Sequence, residues 1–325
     1  MQDKESDGTD KNGIRGRATK GVLDATMLAK RVMSGDRRAL ARAITIVENE
    51  GSEARRLLSS VRPRGQLFVL GLTGPPGTGK STLVDRLIEL YRKEGLRVGV
   101  VAVDPTSPIT GGALLGDRVR MQRHATDVGV FIRSMASRGW SGGLARTTSQ
   151  VIQLMDAAGF DLVLLETVGI GQSDIEVVGV AHAVVVVLMP GLGDDVQASK
   201  AGLMEVGDIY AVNKSDLEGA DPMVVSLLSV VRTMKSRSPT VLKVSALKGE
   251  GLDILVHSID AIRARFREGD TDLRLKSYKG MILEMAKGDL LEKFTRPAEA
   301  RAERLARDVL AGKLTVNQAA ARLSR

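Results

Sequence analysis

The sequence predicts an α/β fold built on a mostly parallel sheet with helices on both faces. Between residues 66 and about 266, short and almost continuously apolar runs alternate with longer amphipathic stretches. Apolar runs of this kind form strands buried on both faces, as in parallel sheets. The first run also leads into a glycine-rich loop and then a helical stretch. The expected strands are Leu67–Leu72, Val98–Val103, Leu162–Glu166, Ala183–Met189, Ile209–Val212 and Val241–Val244.

The composition of the 325-residue chain excludes several classes of protein. With 43% hydrophobic and 26% charged residues, it is typical of a globular protein. The absence of cysteine excludes disulfides, iron–sulfur clusters and thiolate metal sites, and it fits a reducing compartment. The longest apolar run, residues 183–189, is too short to span a membrane, and the N-terminus lacks the pattern of a signal peptide. We therefore expect a cytoplasmic protein without a membrane partner.

The net charge of +8 is unevenly distributed, because basic flanking segments surround a slightly acidic centre. A basic surface can attract nucleic acid. Only 3% of the residues are aromatic, and neither flank interleaves them with its basic residues as base-stacking surfaces do. The sequence therefore argues against nucleic-acid binding.

Four segments are expected along the chain. Residues 1–20 form a polar, disordered tail, and residues 21–65 form an N-terminal helical segment. Residues 66–266 carry the parallel sheet. Residues 267–325 form a charged helical segment, in which Arg296-Pro297 is expected to interrupt the helix.

The loop after the first strand carries a phosphate-binding motif. Residues 74–81 read Gly-Pro-Pro-Gly-Thr-Gly-Lys-Ser, which is the G-x-x-x-x-G-K-[ST] loop of P-loop NTPases, here between a strand and a helix. Its glycines let backbone N–H groups turn toward phosphates, and the helix N-terminus adds partial positive charge. The Lys80 ammonium can meet the β- and γ-phosphates, and the Ser81 hydroxyl can ligate Mg²⁺. The nucleotide-binding residues expected here are Gly74, Gly77, Thr78, Gly79, Lys80, Ser81 and Thr82.

A second motif, Asn213-Lys214-Ser215-Asp216, has the N-K-x-D pattern that reads guanine. It follows the strand Ile209–Val212, and ligands bind at such strand ends in open α/β sheets. The Asp216 carboxylate can accept hydrogen bonds from both the N1–H and the exocyclic amine of guanine, whereas it would repel the ring nitrogen of adenine. Lys214 can lie over the ring, and Asn213 can tie this loop to the phosphate-binding loop.

The tripeptide Ser245-Ala246-Leu247 follows one further strand. It resembles the loop of GTP-binding proteins whose backbone N–H meets the guanine oxygen. An ordinary helix N-cap is the alternative interpretation.

Acidic residues are expected on the γ-phosphate side. Glu166 ends a buried strand and Gly169 follows, where GTPases usually have D-x-x-G; the N–H of Gly169 can sense the γ-phosphate. Asp104 ends another strand, and Asp117 ends the glycine-rich loop 111–117. Carboxylates converging on one phosphate require a cation, and Mg²⁺ is expected, although each acid alone could be a helix cap. We assign Lys80, Asp104, Asp117 and Glu166 to catalysis, and Ser81, Asp104, Asp117 and Glu166 to the metal.

The position that holds a water-orienting Gln in Ras-like enzymes is occupied by Ile170, and Gln172 comes two residues later. Unaided hydrolysis is therefore expected to be slow, with a partner completing the site.

Together these residues resemble the MeaB/ArgK family of GTPases, which are partners of the adenosylcobalamin-dependent methylmalonyl-CoA mutase. The matching stretches are SGDRRALARAIT (34–45), VDPTSP (103–108), TGGALLGDR (110–118) and ETVGIGQS (166–173). The last is far more specific to the family than the phosphate-binding loop. The resemblance covers residues 22–260 well, and after residue 266 only helical character and position match.

The resemblance implies a GTP-binding domain of the signal-recognition/MinD branch, with GTP or GDP and Mg²⁺ as ligands. It also implies a homodimer formed through a C-terminal arm, and a chaperone role toward a B12-dependent acyl-CoA mutase whose cofactor loading it gates. In the loop 190–200, Asp194 and Lys200 match the family's coupling residues, and Gln172 is grouped with them.

Other functions stay open at this stage. The older family label suggests a transport-associated kinase or ATPase, and a regulator of another client enzyme or a purely structural nucleotide-binding module would fit the same motifs. A nickel-delivery GTPase is disfavoured, because the chain has no cysteine and its three histidines lie far apart. A protein-targeting GTPase is disfavoured because the 12 methionines are scattered.

Overall fold

The centre of the protein is a parallel sheet of seven strands. The structure is a computed structural model, and it describes residues 24–49, 51–104, 121–136, 147–167, 179–191, 202–234 and 238–323. The strands in chain order are β1 (Phe68–Thr73), β2 (Val98–Asp104), β3 (Val130–Ala136), β4 (Leu162–Glu166), β5 (Ala183–Leu188), β6 (Ile209–Val212) and β7 (Thr240–Lys243). Their order across the sheet is β3-β2-β4-β1-β5-β6-β7, and every pairing is parallel. The predicted α/β class and parallel sheet are confirmed.

Helices precede, connect and follow the strands. They are α1 (residues 24–33), α2 (Arg37–Asn49), α3 (Ser52–Ser60), α4 (Lys80–Lys93), α5 (Thr148–Ala157), α6 (Ala220–Val231), α7 (Leu252–Arg267), α8 (Thr271–Leu310) and α9 (Val316–Leu323). A 3₁₀ turn spans Gln122–His124, and a short helix covers residues 202–206. No helix in these ranges is long and apolar enough to cross a bilayer.

The sheet is buried on both faces because successive strand residues point to opposite sides. On one face, Val69 and Val163 pack in a core that also contains residues of α2, α3 and α5. On the other face, Leu70 and Leu164 pack in a core with residues of α4 and α7. Each fully buried Leu or Val contributes about 1.5–3 kcal/mol. The N-terminal helices therefore share a hydrophobic core with the sheet.

Strand β3 was not expected from the sequence. Its residues read VFIRSMA, so Arg133 and Ser134 break the apolar run. The strand lies at the edge of the sheet and pairs only with β2. The Arg133 guanidinium forms an ion pair with Glu48 of α2, which allows a charged side chain on a strand packed beneath a helix. The other strands differ from the expected bounds by one residue at most at each end.

The expected interruption at Arg296-Pro297 is wrong, because α8 is one helix from Thr271 to Leu310. It begins at an N-cap, since the Asp270 side chain accepts hydrogen bonds from the backbone N–H groups of Asp272 and Leu273. A proline removes one backbone donor and crowds the preceding turn. In a 40-residue helix, the turns on either side maintain the helical path.

The first half of α8 contacts the body of the protein where the chain enters β5. The Ser277 hydroxyl donates a 3.0 Å hydrogen bond to the carbonyl of Val180. Gly280 lies so close to Gly179 that an added Cβ would overlap the carbonyl oxygen of Gly179. Met281 is buried beside them. The absence of a side chain at Gly280 thus permits the close approach of α8.

Replacing Gly280 with alanine should destabilise the protein. Alanine raises helix propensity by about 1 kcal/mol, but the new methyl group would collide with backbone, and such overpacking costs about 1–3 kcal/mol or more. We expect the clash to dominate and to lower the midpoint of chemical denaturation followed by circular dichroism. Lys279→Ala, at an exposed position of the same helix, is the control and should change stability by less than about 0.5 kcal/mol. An unchanged midpoint for Gly280→Ala would contradict this packing.

Candidate nucleotide-binding site

The phosphate-binding loop connects the central strand β1 to α4, and two of its three glycines, Gly74 and Gly79, lie against other backbone or side-chain groups. Gly74 has a φ of 137°, and an added Cβ would overlap the carbonyl oxygen of Val187 in β5. Gly79 has a φ of 89°, and an added Cβ would lie 2.5 Å from the Nδ2 atom of Asn213. Larger residues are therefore excluded at both positions by conformation and by space.

The side chain of Lys80 lies within the loop. Its Nζ atom donates hydrogen bonds of 2.7 Å to the carbonyl of Gly74 and 3.1 Å to that of Pro75. The hydroxyl of Thr78 also donates to the carbonyl of Pro75, at 2.9 Å. The loop thus concentrates a cation and the N-terminus of α4 at one place, which suits an anion such as a phosphate.

Oxygen-bearing side chains from the first turn of α4 and from the end of β4 meet beside this loop. The Ser81 hydroxyl donates a 2.7 Å hydrogen bond to Oε1 of Glu166, and both residues are buried. The pairing of β1 with β4 places Leu72 opposite Glu166, which explains how residues far apart in sequence meet. Next to them, the Thr167 hydroxyl lies 3.2 Å from that of Thr73.

This donor set fits Mg²⁺, because hydroxyl and carboxylate oxygens are the ligands that this small, hard cation prefers. Asp104 ends β2, which pairs with β4 at Ala102 and Glu166, so its backbone lies at the same edge of the sheet. Within the described ranges, no group of three or more His, Cys, Asp or Glu side chains is arranged to hold a metal ion. The third predicted acid, Asp117, lies outside those ranges.

Asn213 joins the phosphate-binding loop to the two loops that follow β6 and β7. Its side chain is buried, its Nδ2 donates a 2.8 Å hydrogen bond to the carbonyl of Thr78, and its Oδ1 accepts a 3.0 Å hydrogen bond from the backbone N–H of Ala246. Its own N–H donates to the carbonyl of Leu188 at 2.7 Å. The expected contact between Asn213 and the phosphate-binding loop is therefore present.

Lys214 and Asp216 complete the N-K-x-D motif. Lys214 has an unusual backbone conformation, and Asp216 has two side-chain partners. Lys214 adopts a φ of 56°, which only a few per cent of non-glycine residues do. Asp216 Oδ1 accepts a 2.8 Å hydrogen bond from the Ser245 hydroxyl, and Lys248 Nζ lies 3.7 Å from Oδ2. The hydrogen bond from Ser245 holds the pKa of the Asp216 carboxyl below its usual value. Asp216 is thus ionised at neutral pH and can accept hydrogen bonds from a base.

These loops enclose a cavity of about 270 Å³. Its lining brings together residues of the phosphate-binding helix and of both base-side motifs: Gly79, Thr82, Asn213, Lys214, Asp216, Leu217, Ser245, Ala246 and Leu247. All of these except Leu217 were singled out from the sequence. Leu217 directly follows the N-K-x-D motif, and only this adjacency could have indicated from the sequence that it lines the cavity.

Arg86 was also missed by sequence reasoning. It lies six residues after Lys80 on α4 and contacts the backbone of residues 246 and 247. No motif contains it, and its contact depends on how the sheet brings α4 and the loop after β7 together.

Four other predicted residues lie outside the described ranges. They are Gly169, Gln172, Asp194 and Lys200, and their assignments stay predictions.

Comparison with known proteins identifies close relatives. A family model described as methylmalonyl Co-A mutase-associated GTPase MeaB matches residues 40–299. A protein of Pyrococcus abyssi named as a GTPase is 60% identical over 195 residues, which are 60% of this chain and 60% of that protein's length. A second one, from Pyrococcus horikoshii, is 51% identical over 239 residues, or 71% of this chain and 75% of its own.

Among solved structures, a crystal structure of LAO/AO transport system kinase aligns with 94% of this chain and 97% of its own. The TM-score is 0.66, with 25% sequence identity. The two proteins therefore share a fold over most of their length.

Proposed function

The chain belongs to the MeaB family and is a GTPase, and from that premise we propose that it chaperones a B12-dependent acyl-CoA mutase. In this proposal the protein binds GTP and GDP with Mg²⁺, and the mutase is of the methylmalonyl-CoA type named in the family description. Nucleotide state gates the loading of the mutase cofactor. The observation that carries the nucleotide part is the cavity in which Asp216, Ala246 and the phosphate-binding loop meet.

Guanine recognition is assigned to Asp216, Asn213, Lys214 and the segment 245–247. The ionised Asp216 carboxylate accepts the N1–H and the amine of guanine, and Lys214 lies over the ring. A backbone N–H of the segment 245–247 meets the six-position oxygen of the base. Three independent loops contribute to this cavity, which supports the assignment.

The phosphate side is assigned to the loop 74–82. Lys80 offsets charge on the β- and γ-phosphates, and backbone N–H groups of the loop bind their oxygens. Ser81 and Glu166 would hold Mg²⁺, together with Asp104 and Asp117 from the sequence motifs. The ion neutralises charge on the transferring phosphoryl group when it is bound. Gly169 would contact the γ-phosphate.

The proposal that a partner protein is needed starts from position 170, where Ile170 stands in place of the water-orienting glutamine of Ras-like enzymes. Hydrolysis by the protein alone should be slow, and the bound mutase would complete or reorganise the site. Gln172, Asp194 and Lys200 are the residues proposed to couple nucleotide state to the mutase. A cytoplasmic location is part of this proposal.

We also assign dimer formation to the proposed C-terminal arm, residues 267–325. Along α8 the large apolar side chains of Leu275, Ile282 and Leu290 are more than half exposed. Beyond them, α8 and α9 form a helical hairpin around an apolar cavity of about 400 Å³. A second copy of the chain would cover such surfaces, since exposed apolar patches mark interfaces. The N-terminal tail 1–20, the helical segment 21–65 and the GTP-binding domain 66–266 complete the proposed organisation.

The second candidate is a transport-associated kinase or ATPase. The name of the related solved structure, a transport system kinase, favours it. The position of Asp216 in the cavity disfavours it, since a carboxylate there would repel the adenine ring nitrogen.

Nucleotide choice separates the two candidates. The protein should bind GTP and GDP at least ~100-fold more tightly than ATP, because adenine leaves a charged acceptor unpaired. Asp216→Asn should shift the preference toward xanthine nucleotides, whose two-position oxygen can accept from the new amide. Fluorescence titration measures both, with Asp221→Asn, an exposed acid after β6, as the matched control. Comparable affinity for ATP and GTP would contradict the guanine site.

Mutase-dependent turnover tests the chaperone proposal. An acyl-CoA mutase should raise GTP turnover of the wild-type protein, whereas Asp194→Ala and Lys200→Ala should bind GTP almost normally and lose that stimulation. The reason is that both residues are assigned to coupling and not to the nucleotide. Turnover is measured with and without purified methylmalonyl-CoA mutase and related mutases. If no mutase changes turnover or co-elutes with the protein, the chaperone role is wrong and the GTPase assignment stands.

A further inference from the structure

Arg86 links the phosphate-binding helix to the loop that follows β7. Its Nε atom donates a 3.0 Å hydrogen bond to the carbonyl of Ala246, and its Nη2 atom donates a 3.2 Å hydrogen bond to the carbonyl of Leu247. Its Nη1 atom donates to Glu89, one turn further along α4, at 3.3 Å. Each of the three guanidinium nitrogens therefore has an acceptor, and the side chain is held in one orientation.

Hydrogen bonds from outside the loop hold the backbone of residues 246 and 247. The Ala246 N–H is held by Asn213, as described above. The Leu247 side chain is 75% exposed, so it adds little packing of its own. The carbonyl groups of Ala246 and Leu247 accept hydrogen bonds from Arg86. Asn213 thus holds this backbone through an N–H group, and Arg86 holds it through two carbonyl groups.

Because the peptide unit is planar, the hydrogen bond from Arg86 also fixes the orientation of the N–H donor of Leu247. The carbonyl of Ala246 and the N–H of Leu247 belong to one planar trans peptide, so they point in opposite directions. A hydrogen bond that draws the carbonyl toward Arg86 turns the N–H of Leu247 away from it. Ala246 and Leu247 both line the nucleotide cavity.

Glu89 keeps Arg86 in place. Lys93 lies 3.3 Å from one of its carboxylate oxygens, and Arg86 and Arg123 each lie 3.3 Å from the other. The hydrogen bond from Lys93 holds the pKa of Glu89 below its usual value. The acid therefore stays charged at neutral pH and orients the guanidinium.

We propose that Arg86 is a specificity-determining positioning residue, which fixes the 246–247 backbone so that it reads the six-position oxygen of a guanine base. This inference rests on the proposed guanine site. Arg86 does not touch the nucleotide in this account, since it acts through the loop. A side chain that merely fastened α4 to the loop would instead affect all nucleotides alike.

Three nucleotides separate these readings. GDP has both the six-position oxygen and the two-position amine, inosine diphosphate lacks the amine, and 2-aminopurine riboside diphosphate lacks the oxygen together with the N1–H. Affinities are measured by displacement of a fluorescent GDP analogue from the full chain. The variants are Arg86→Ala, the conservative Arg86→Lys, and, as a matched control, Arg267→Ala at an exposed position of α7.

Arg86→Ala should weaken GDP and inosine diphosphate by about tenfold each, and 2-aminopurine riboside diphosphate by less than about twofold. Arg86→Lys should lie between the wild type and Arg86→Ala, since an ammonium can reach one carbonyl only. Arg267→Ala should leave all three affinities unchanged. If Arg86→Ala fails to fold, the same ratio of losses is expected in Arg86→Lys.

Equal losses for all three nucleotides, or no loss for GDP, would overturn the role of Arg86 and leave the guanine site intact. A wild-type protein that binds GDP no more tightly than the 2-aminopurine nucleotide would contradict the guanine site itself, and this inference with it.

Discussion

The buried amide of Asn213 is the interaction on which the geometry of the site depends. It donates to the carbonyl of Thr78 in the phosphate-binding loop and accepts from the N–H of Ala246 in the loop after β7. One side chain thereby connects loops that are more than a hundred residues apart in sequence. Leaving either partner unsatisfied in a buried setting costs about 1–3 kcal/mol. The arrangement thus holds the phosphate and base sides of the cavity in a fixed relation before any nucleotide arrives.

The sheet supplies the frame for this interaction. Because β1 is flanked by β4 and β5, and β6 and β7 follow on one side, the carboxyl ends of five parallel strands meet at one edge. The backbone of the phosphate-binding loop lies directly on β5, which only glycine at position 74 permits. The same edge brings Ser81 to Glu166. The order of the strands therefore places the acidic residues, the phosphate-binding loop and the proposed base-binding loops next to one another.

The parts of this structure that could be predicted from the sequence are those with a local signal. Continuous apolar runs predicted six strands, because burial on both faces leaves no polar positions. Strand β3 could not be found in this way, because Arg133 breaks its apolar run. The partner that pairs with this charge, Glu48, lies on a helix far away in sequence. Pro297 misled the helix prediction, because the length of α8 outweighs one lost hydrogen bond. Arg86 carries no motif, and its role follows only from which loops the sheet brings together.

Substitution of Asn213 by aspartate tests the central claim that one side chain joins the two halves of the site. The carboxylate could still accept from Ala246, but it could not donate to the carbonyl of Thr78, and two oxygen acceptors would face each other. We expect a loss of about 1–3 kcal/mol in the free energy of unfolding and a weakening of GDP binding by at least about tenfold. Asn317→Asp, the same change at an exposed position of α9, should alter neither quantity. Wild-type stability together with wild-type GDP affinity in Asn213→Asp would contradict the account.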